Sequence, residues 1–438
     1  MTSCTLTAAS RFLTVLSVIL IHAIGVNSQT SVGNTNQTNH GVASSKKQGG
    51  ALTLTQSSFG FQCGTGLPTN CPNETWPATI AQPGMIRLWD SQVQWHLLNS
   101  KPGAYKWKTL DGYLDAIAAH QPRDAMYTFG YTPCWDTKAR CEVAWGSIYP
   151  PDDLTPSGSP SLNTFALALV NHCSPAGHCV KDYIKHWEMW NEANAPHYWK
   201  GTIAQLYELM APAIAIIRSN VPGALILTPP ANRGDTNWME AWLNEENKRG
   251  RLSDIFSFHL YLQNDIPETR FSMVREMVDL KTHTTGWSTS PWMNTETNFD
   301  SSTFACSGRY TPDDCIGQIV RWHLLQYAYG AQHVSWFFFN TTIGRNQEYS
   351  NAYHVMMQWL IGGHFAAACS SMGSIYSCPF IQASGRHALF VWNATGNSNY
   401  TPDPQYVDYK TLNADATAVS ARRPVTVGVK PIMLEAAN

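Results

Sequence analysis

Short apolar runs alternate along this chain with longer stretches whose apolar residues recur at three- and four-residue steps. These are the periods of buried strands and of one-sided helices. Eight runs read as strands: Phe59–Cys63, Met85–Trp89, Ala125–Phe129, Ile184–Trp190, Ala224–Thr228, Ile255–Tyr261, Trp292–Glu296 and His333–Phe339. Helical stripes lie between them. Leu110, Tyr113, Leu114 and Ile117 form one; Ile203, Leu206, Tyr207, Met210, Ile214 and Ile217 form a second, ending before the stop signal Val221-Pro222-Gly223. Met273, Val274, Met277 and Leu280 make a third, and Ile316, Ile319, Val320 and Tyr327 a fourth. Strands alternating with helices imply an α/β fold with a parallel sheet. Eight repeats imply its closure into a (β/α)8 TIM barrel. An open doubly wound sheet is the structural alternative, but no G-x-G-x-x-G follows the first strand, so nucleotide binding has no support.

The pattern changes after a helix expected over Asn351–Ile361. Phe380–Gln382, Ala388–Trp392 and Val425–Val429 read as β segments between Gly, Asn and Pro turns, so residues 366–438 are expected to form a small C-terminal β-domain packed on a barrel of residues 51–365. Leu52-Thr53-Leu54 is a candidate to join it. At the other end, Arg11 precedes the apolar run Phe12 to Val26, and Val26-Asn27-Ser28 supplies small residues, which fits a signal peptide over 1–28. An uncleaved anchor is the rival reading, but a run of about 15 residues is shorter than the roughly 20 that span a bilayer. Residues 29–50 are nearly devoid of apolar side chains and are expected to be a disordered lead-in.

Composition narrows the class of ligand. A formal charge of −2 gives no electrostatic case for nucleic acid or an anionic membrane. The 17 Trp, 18 Tyr and 16 Phe supply both a large core and flat rings able to stack on sugar faces. Cys4 falls in the signal. The others form five sequential couples: Cys63 with Cys71, Cys134 with Cys141, Cys173 with Cys179, Cys306 with Cys315 and Cys369 with Cys378. Neighbour pairing into disulfides is expected of an exported, extracellular protein. Metal binding is the rival, because His172-Cys173 and His178-Cys179 crowd together. Sequons at Asn36, Asn73, Asn340, Asn393 and Asn399 mark possible glycosylation.

Two glutamates carry the chemistry. Glu192 follows the fourth strand in Trp187-Glu188-Met189-Trp190-Asn191-Glu192-Ala193-Asn194, and Glu296 ends the seventh in Pro291-Trp292-Met293-Asn294-Thr295-Glu296. Carboxylates at the C-terminal ends of barrel strands face the pocket where such folds do chemistry. Two of them brought together can break a glycosidic bond with retention. Glu188 lies an even number of residues before Glu192, so in a strand both would face the lumen; it reads as a structural buried carboxylate.

The string around Glu192 resembles the fourth-strand motif of clan A retaining glycoside hydrolases. That resemblance implies Glu192 as general acid/base, Asn191 as the donor to the sugar 2-hydroxyl and Glu296 as nucleophile. It also implies substrate-binding or supporting roles for Arg87, Trp89, His259, Tyr261 and Trp336, which occur in order on strands two, six and eight. Within the clan the segment Gly84–Asp90, then Trp95, Tyr105-Lys106-Trp107 and Leu110-Asp111, is similar to the second β/α unit of family 39. Tyr127–Pro133 resembles that family's third-strand loop, with Cys134 as a departure. The resemblance runs from about Phe59 to Asn340.

The expected function is thus a secreted retaining glycosidase that acts on a polysaccharide or oligosaccharide and needs no metal or organic cofactor. A transglycosylase would use the same residues, and a carbohydrate-binding protein on a decayed barrel would keep the aromatic residues. A metallohydrolase would need a ligand cluster such as His-Glu-x-x-His, which the sequence lacks.

Overall fold

The computed structural model describes residues 52–62, 81–120, 124–138, 141, 146–413, 416–418 and 423–437. The signal and lead-in segments and the sequons at Asn36 and Asn73 lie outside them. So do Cys63 and Cys71. Eight parallel strands form one sheet: β1 (Phe59–Phe61), β2 (Met85–Leu88), β3 (Asp124–Thr128), β4 (Ile184–Glu188), β5 (Leu225–Leu227), β6 (Phe256–His259), β7 (Trp292–Thr297) and β8 (Ala331–Trp336). Their order, β5-β4-β3-β2-β1-β8-β7-β6, closes through parallel bridges Leu227↔Ile255 and Ala231↔Phe258. The result is the expected barrel, each strand falling within a residue or two of its apolar run except at the C-terminal ends.

Helices of the described chain are α1 (Trp95–Leu98), α2 (Lys108–Ala119), α3 (Pro160–Val170), α4 (Val180–Tyr183), α5 (Ile203–Asn220), α6 (Thr236–Arg249), α7 (Pro267–His283), α8 (Pro312–Ala328) and α9 (Gln347–Leu360). Their starts are written locally. Thr202 and Thr311 form capping boxes, Ser159 and Asp235 accept from the first-turn amides, and α3, α7 and α8 begin with Pro.

Along each barrel strand alternate side chains point out to the helices and in to the lumen. Outward, Phe59 packs edge-on against Tyr327 of α8 and Tyr353 of α9, and Phe258 stacks on Trp292. This layer holds fully buried Trp187, Trp242, Trp287 and Trp322; burying such a side chain contributes roughly 1.5–3 kcal/mol. Inward, Met85, Met126, Leu227, Ile255 and Met293 make an apolar plug. Two residues farther along their strands stand Arg87, Thr128 and Thr295. The lumen therefore turns from apolar to polar within one strand period.

The C-terminal chain forms β9 (His364–Phe365), β10 (Ser370–Met372), β11 (Ile375–Ile381), β12 (His387–Asn393), β13 (Ser398–Tyr400), β14 (Tyr406–Lys410), β15 (Ala416–Ala418), β16 (Val425–Val427) and β17 (Ile432–Ala436). An antiparallel sheet runs β10-β11-β12-β17-β14-β15 with β9 on β11, and β13 pairs with β16. Among the strands missed by periodicity, Ile432–Ala436 lies between β12 and β14 and is buried throughout. Its run of adjacent apolar residues suits a strand covered on both faces. Trp392 Nε1 donates to Glu268 Oε1 at 2.7 Å, Arg321 Nη1 pairs with the same carboxylate at 3.0 Å, and both anchor this sheet to α7 and α8. Leu54 is not a strand of it. It exchanges backbone hydrogen bonds with Gly362 and Gly363 in the turn between α9 and β9.

Four of the expected disulfides are present: Cys134–Cys141, Cys173–Cys179, Cys306–Cys315 and Cys369–Cys378. The fifth expected bridge, from Cys63 to Cys71, is not among them, because Cys71 and its partner both fall outside the described residues. The sequon at Asn393 departs from its surface reading. Asn393 is 6% exposed and its Nδ2 donates to Ser398 Oγ at 3.0 Å, whereas Asn399 is exposed and Asn340 partly so.

Candidate active site

Arg87 organises the polar layer of the lumen. Its Nε and Nη2 donate to Glu188 Oε2 at 2.9 and 2.5 Å, and Nη2 also donates to Asn191 Oδ1 at 2.7 Å. Its Nη1 donates to Glu296 Oε2 at 2.7 Å and to Gln62 Oε1 at 2.8 Å. Thr128 Oγ1 and Thr295 Oγ1 donate to the two oxygens of Glu188 at 2.9 and 2.7 Å. Glu188 and Arg87 are fully buried, so this pair is stable only because nearly every donor and lone pair is matched. Glu188 is thus bound on both oxygens by donors of the barrel itself.

Glu296 reaches this layer by an irregularity in β7. Trp292 and Asn294 point outward, the latter to Gln326 of α8 at 3.0 Å, and strict alternation would send Glu296 the same way. The register instead shifts between Phe258 and His259 on one side and between Asn294 and Thr297 on the other. Such bulges re-aim side chains at barrel rims. Thr295 and Glu296 consequently both face the lumen, while Thr297 Oγ1 turns out and accepts from Trp322 of α8. Tyr261 Oη donates to Glu296 Oε1.

Glu192 arrives by a different device. β4 ends at Glu188, and Glu192 sits in the loop beyond with φ +43°, a left-handed conformation uncommon for a side chain of this kind. The even spacing from Glu188 does not explain its direction. Its Oε1 hydrogen-bonds His259 Nδ1 at 2.8 Å and its Oε2 accepts from Asn232 Nδ2 at 2.9 Å. His259 Nδ1 lies 3.9 Å from Glu296 Oε2, and one ligand atom from each of Glu192, His259 and Glu296 falls within 4.8 Å of the others.

Electrostatics separate the two carboxyls. Burial raises both pKa values. At Glu296 the Arg87 charge and the Tyr261 hydroxyl oppose that rise. At Glu192 the Glu296 charge adds to it, and the pKa stands well above the ordinary carboxylate range. His259 is held neutral by burial, then by Arg87.

Two predicted residues are placed elsewhere. Trp336 faces away from the lumen, its ring stacked 5.8 Å from that of His323 on α8 and its Nε1 donating to Thr342 at 3.0 Å. Alternation on β8 decides this, since Val334 and Trp336 share the outer face and Ser335 the inner. The ring beside the site is Phe337, 6.4 Å from Tyr261. Trp89 is only 2% exposed, beneath Tyr131, whose ring stacks on it at 5.4 Å, and Tyr198 at 5.9 Å. It supports an aromatic wall and is not itself the exposed platform. Sequence reasoning also missed Gln62, Asp90, Tyr198 and Asn232. Asn232 had a local signal: it is the first polar side chain after β5 and its closing Thr, in Thr228-Pro229-Pro230-Ala231-Asn232.

No family model matches the sequence, and no curated protein does. Solved structures do match in shape. A family 39 β-xylosidase from Caulobacter crescentus is 14% identical, with 89% of this chain and 98% of that one covered at a TM-score of 0.59. A glucosidase from Croceicoccus marinus is 13% identical over the same shares at 0.57. The catalytic domain of the family 30 xylanase C from Talaromyces cellulolyticus is 10% identical, also over 89% and 98%, at 0.56. The chain shares its fold with these glycoside hydrolases. At these identities the likeness establishes architecture, and chemistry must be argued from the side chains.

Proposed function

We propose that the protein is a secreted retaining glycoside hydrolase, cleaving O-glycosidic bonds of a polysaccharide or oligosaccharide by double displacement. Glu296 is the nucleophile and Glu192 the acid/base. The observation that carries this reading is the approach of the Glu192 and Glu296 carboxylates to within 4.8 Å around His259. Inverting enzymes hold theirs about 6.5–9.5 Å apart to admit a water, whereas direct attack by one carboxylate needs about 5–5.5 Å.

The protons follow from the neighbours. Arg87 and Tyr261 keep Glu296 ionised and aimed, so its oxygen attacks the anomeric carbon. Glu192, holding its proton through burial and the Glu296 charge, gives it to the departing glycosidic oxygen. Once Glu296 is esterified its charge is gone, the pKa of Glu192 falls, and Glu192 takes a proton from the water that releases the sugar. Asn191 Oδ1 is held by Arg87, which leaves Nδ2 to donate to the sugar 2-hydroxyl. Four disulfides support an oxidising compartment. Among the described residues no helix is long and apolar enough to cross a membrane.

Three variants on an aryl glycoside with an acidic phenol test the assignment. Glu296→Ala should lose nearly all activity. Glu192→Ala should keep much of its first-step rate and stall, and azide should release a glycosyl azide of retained configuration. Glu188→Ala should be unstable and show no azide rescue. Azide rescue of Glu188→Ala in place of Glu192→Ala would overturn the assignment on β4.

A further inference from the structure

A third carboxyl stands at the site and takes no part in the steps above. Asp90 lies just beyond β2, three residues after Arg87, and is half-buried. Its Oδ2 accepts from Gln62 Nε2 at 3.4 Å, a long bond, while Gln62 Oε1 is fixed by Arg87 at 2.8 Å. Among the described residues Oδ1 has no hydrogen-bond partner. Burial, then the Glu296 charge, raises the Asp90 pKa to about 7, against a smaller opposing pull from Arg87. A half-buried carboxyl with one oxygen unused by the protein can accept a donor from a ligand. Sugar hydroxyls are such donors.

The other groups of the pocket already have protein partners. Glu192, Glu296 and Asp90 all sense one another. The guanidinium among them is fully engaged, since Nε, Nη1 and Nη2 of Arg87 each donate to protein oxygens. His259 is neutral.

We infer that Asp90, oriented by Gln62, recognises a hydroxyl of the sugar in the glycone subsite. The inference rests on the hydrolase reading above. It assigns Asp90 a specificity role and no step in bond cleavage.

The test compares wild type with Asp90→Ala and Asp90→Asn. Substrates are aryl glycosides of neutral hexoses and pentoses and the monodeoxy analogues of the best one. One deoxy analogue should lose about 10- to 100-fold in kcat/KM with wild type. Asp90→Ala should lose a similar factor on the parent sugar and little more on that analogue, because the same bond is removed twice. Asp90→Asn, which keeps the size of the side chain, should shift the analogue ranking with its thermal midpoint unchanged. Equal losses on every analogue would refute the inference while leaving the hydrolase reading intact. A wild type that cleaves nothing in the panel would take both down together.

Discussion

Both ends of the barrel turn the chain sharply between strand and helix, and they do so with different residues. At the N-terminal end four successive helix-to-strand turns use glycine with positive φ: Gly223, Gly250, Gly286 and Gly330. At the C-terminal end positive φ is shared between glycines, Gly146, Gly158 and Gly234, and side chains, Gln92, Tyr131, Glu192, Arg233, Gln263, Asn264, Phe304 and Phe338. Every non-glycine residue of this kind among the described residues lies in a strand-to-helix loop. Each such side chain costs about 1–2 kcal/mol relative to glycine. Strain of this sort persists where the surroundings over-determine it and the side chain is needed. The helix-to-strand turns have only to reverse the chain. The strand-to-helix loops must also present groups such as Glu192 and the Tyr131 ring. The lumen divides in the same sense, with a methionine-rich plug below and the Arg87 network one strand period above.

The sharpest way to break the contrast is to remove the cation of the upper layer. Arg87→Met leaves Glu188 buried and unpaired, which should destabilise the protein by about 3–5 kcal/mol. It should also abolish glycosidase activity, because Glu296 loses its charge partner. Denaturant unfolding alongside kinetics on one aryl glycoside checks both. A stable but inactive variant would mean that the network serves catalysis alone.

The lower end has its own buried carboxyl. Glu246 of α6 accepts from Ser253 Oγ at 2.6 Å and has its pKa raised to about 7, chiefly by burial. The sign follows from linkage. The folded state binds this proton more tightly than the unfolded one, so stability is full below the unfolded pKa of about 4.3 and is lost as pH rises through about 7. That loss is on the order of 4 kcal/mol. Glu246→Gln should therefore gain in melting temperature over wild type as pH rises from 4 to 8, with activity unchanged. A constant difference across that range would show that folding leaves the pKa of this carboxyl unshifted.

The smallest effects sharpen the loop comparison directly. Gly250, the α6 C-cap, has φ 120° and ψ 136°, a region closed to other residues. Gly250→Ala should destabilise by about 1–3 kcal/mol without touching kcat/KM. Gln92→Gly, at φ +58°, should do the reverse and stabilise by up to about 1 kcal/mol. Equal and opposite thermal shifts would support the division of labour, whereas destabilisation by both would mean that Gln92 is held by contacts worth more than its strain.

The sequence by itself determined the eight strands, the one-sided helices, their caps and four neighbour-paired cysteine couples, because each is written in a local period or spacing. It also located the rim where chemistry collects: Met85-x-Arg87, Met126-x-Thr128 and Met293-x-Thr295 step from apolar to polar at the strand period. Only the tertiary structure decided which side chains enter the site. Alternation carried Trp336 outward to α8 and left Phe337 beside Tyr261. A bulge between β6 and β7 reversed the face that alternation gives Glu296, and a left-handed turn aimed Glu192. Gln62, Asp90 and Asn232 joined them from other strands. None of these events has a period. Each depends on contacts between residues far apart in the chain, and those contacts exist only once the barrel has closed.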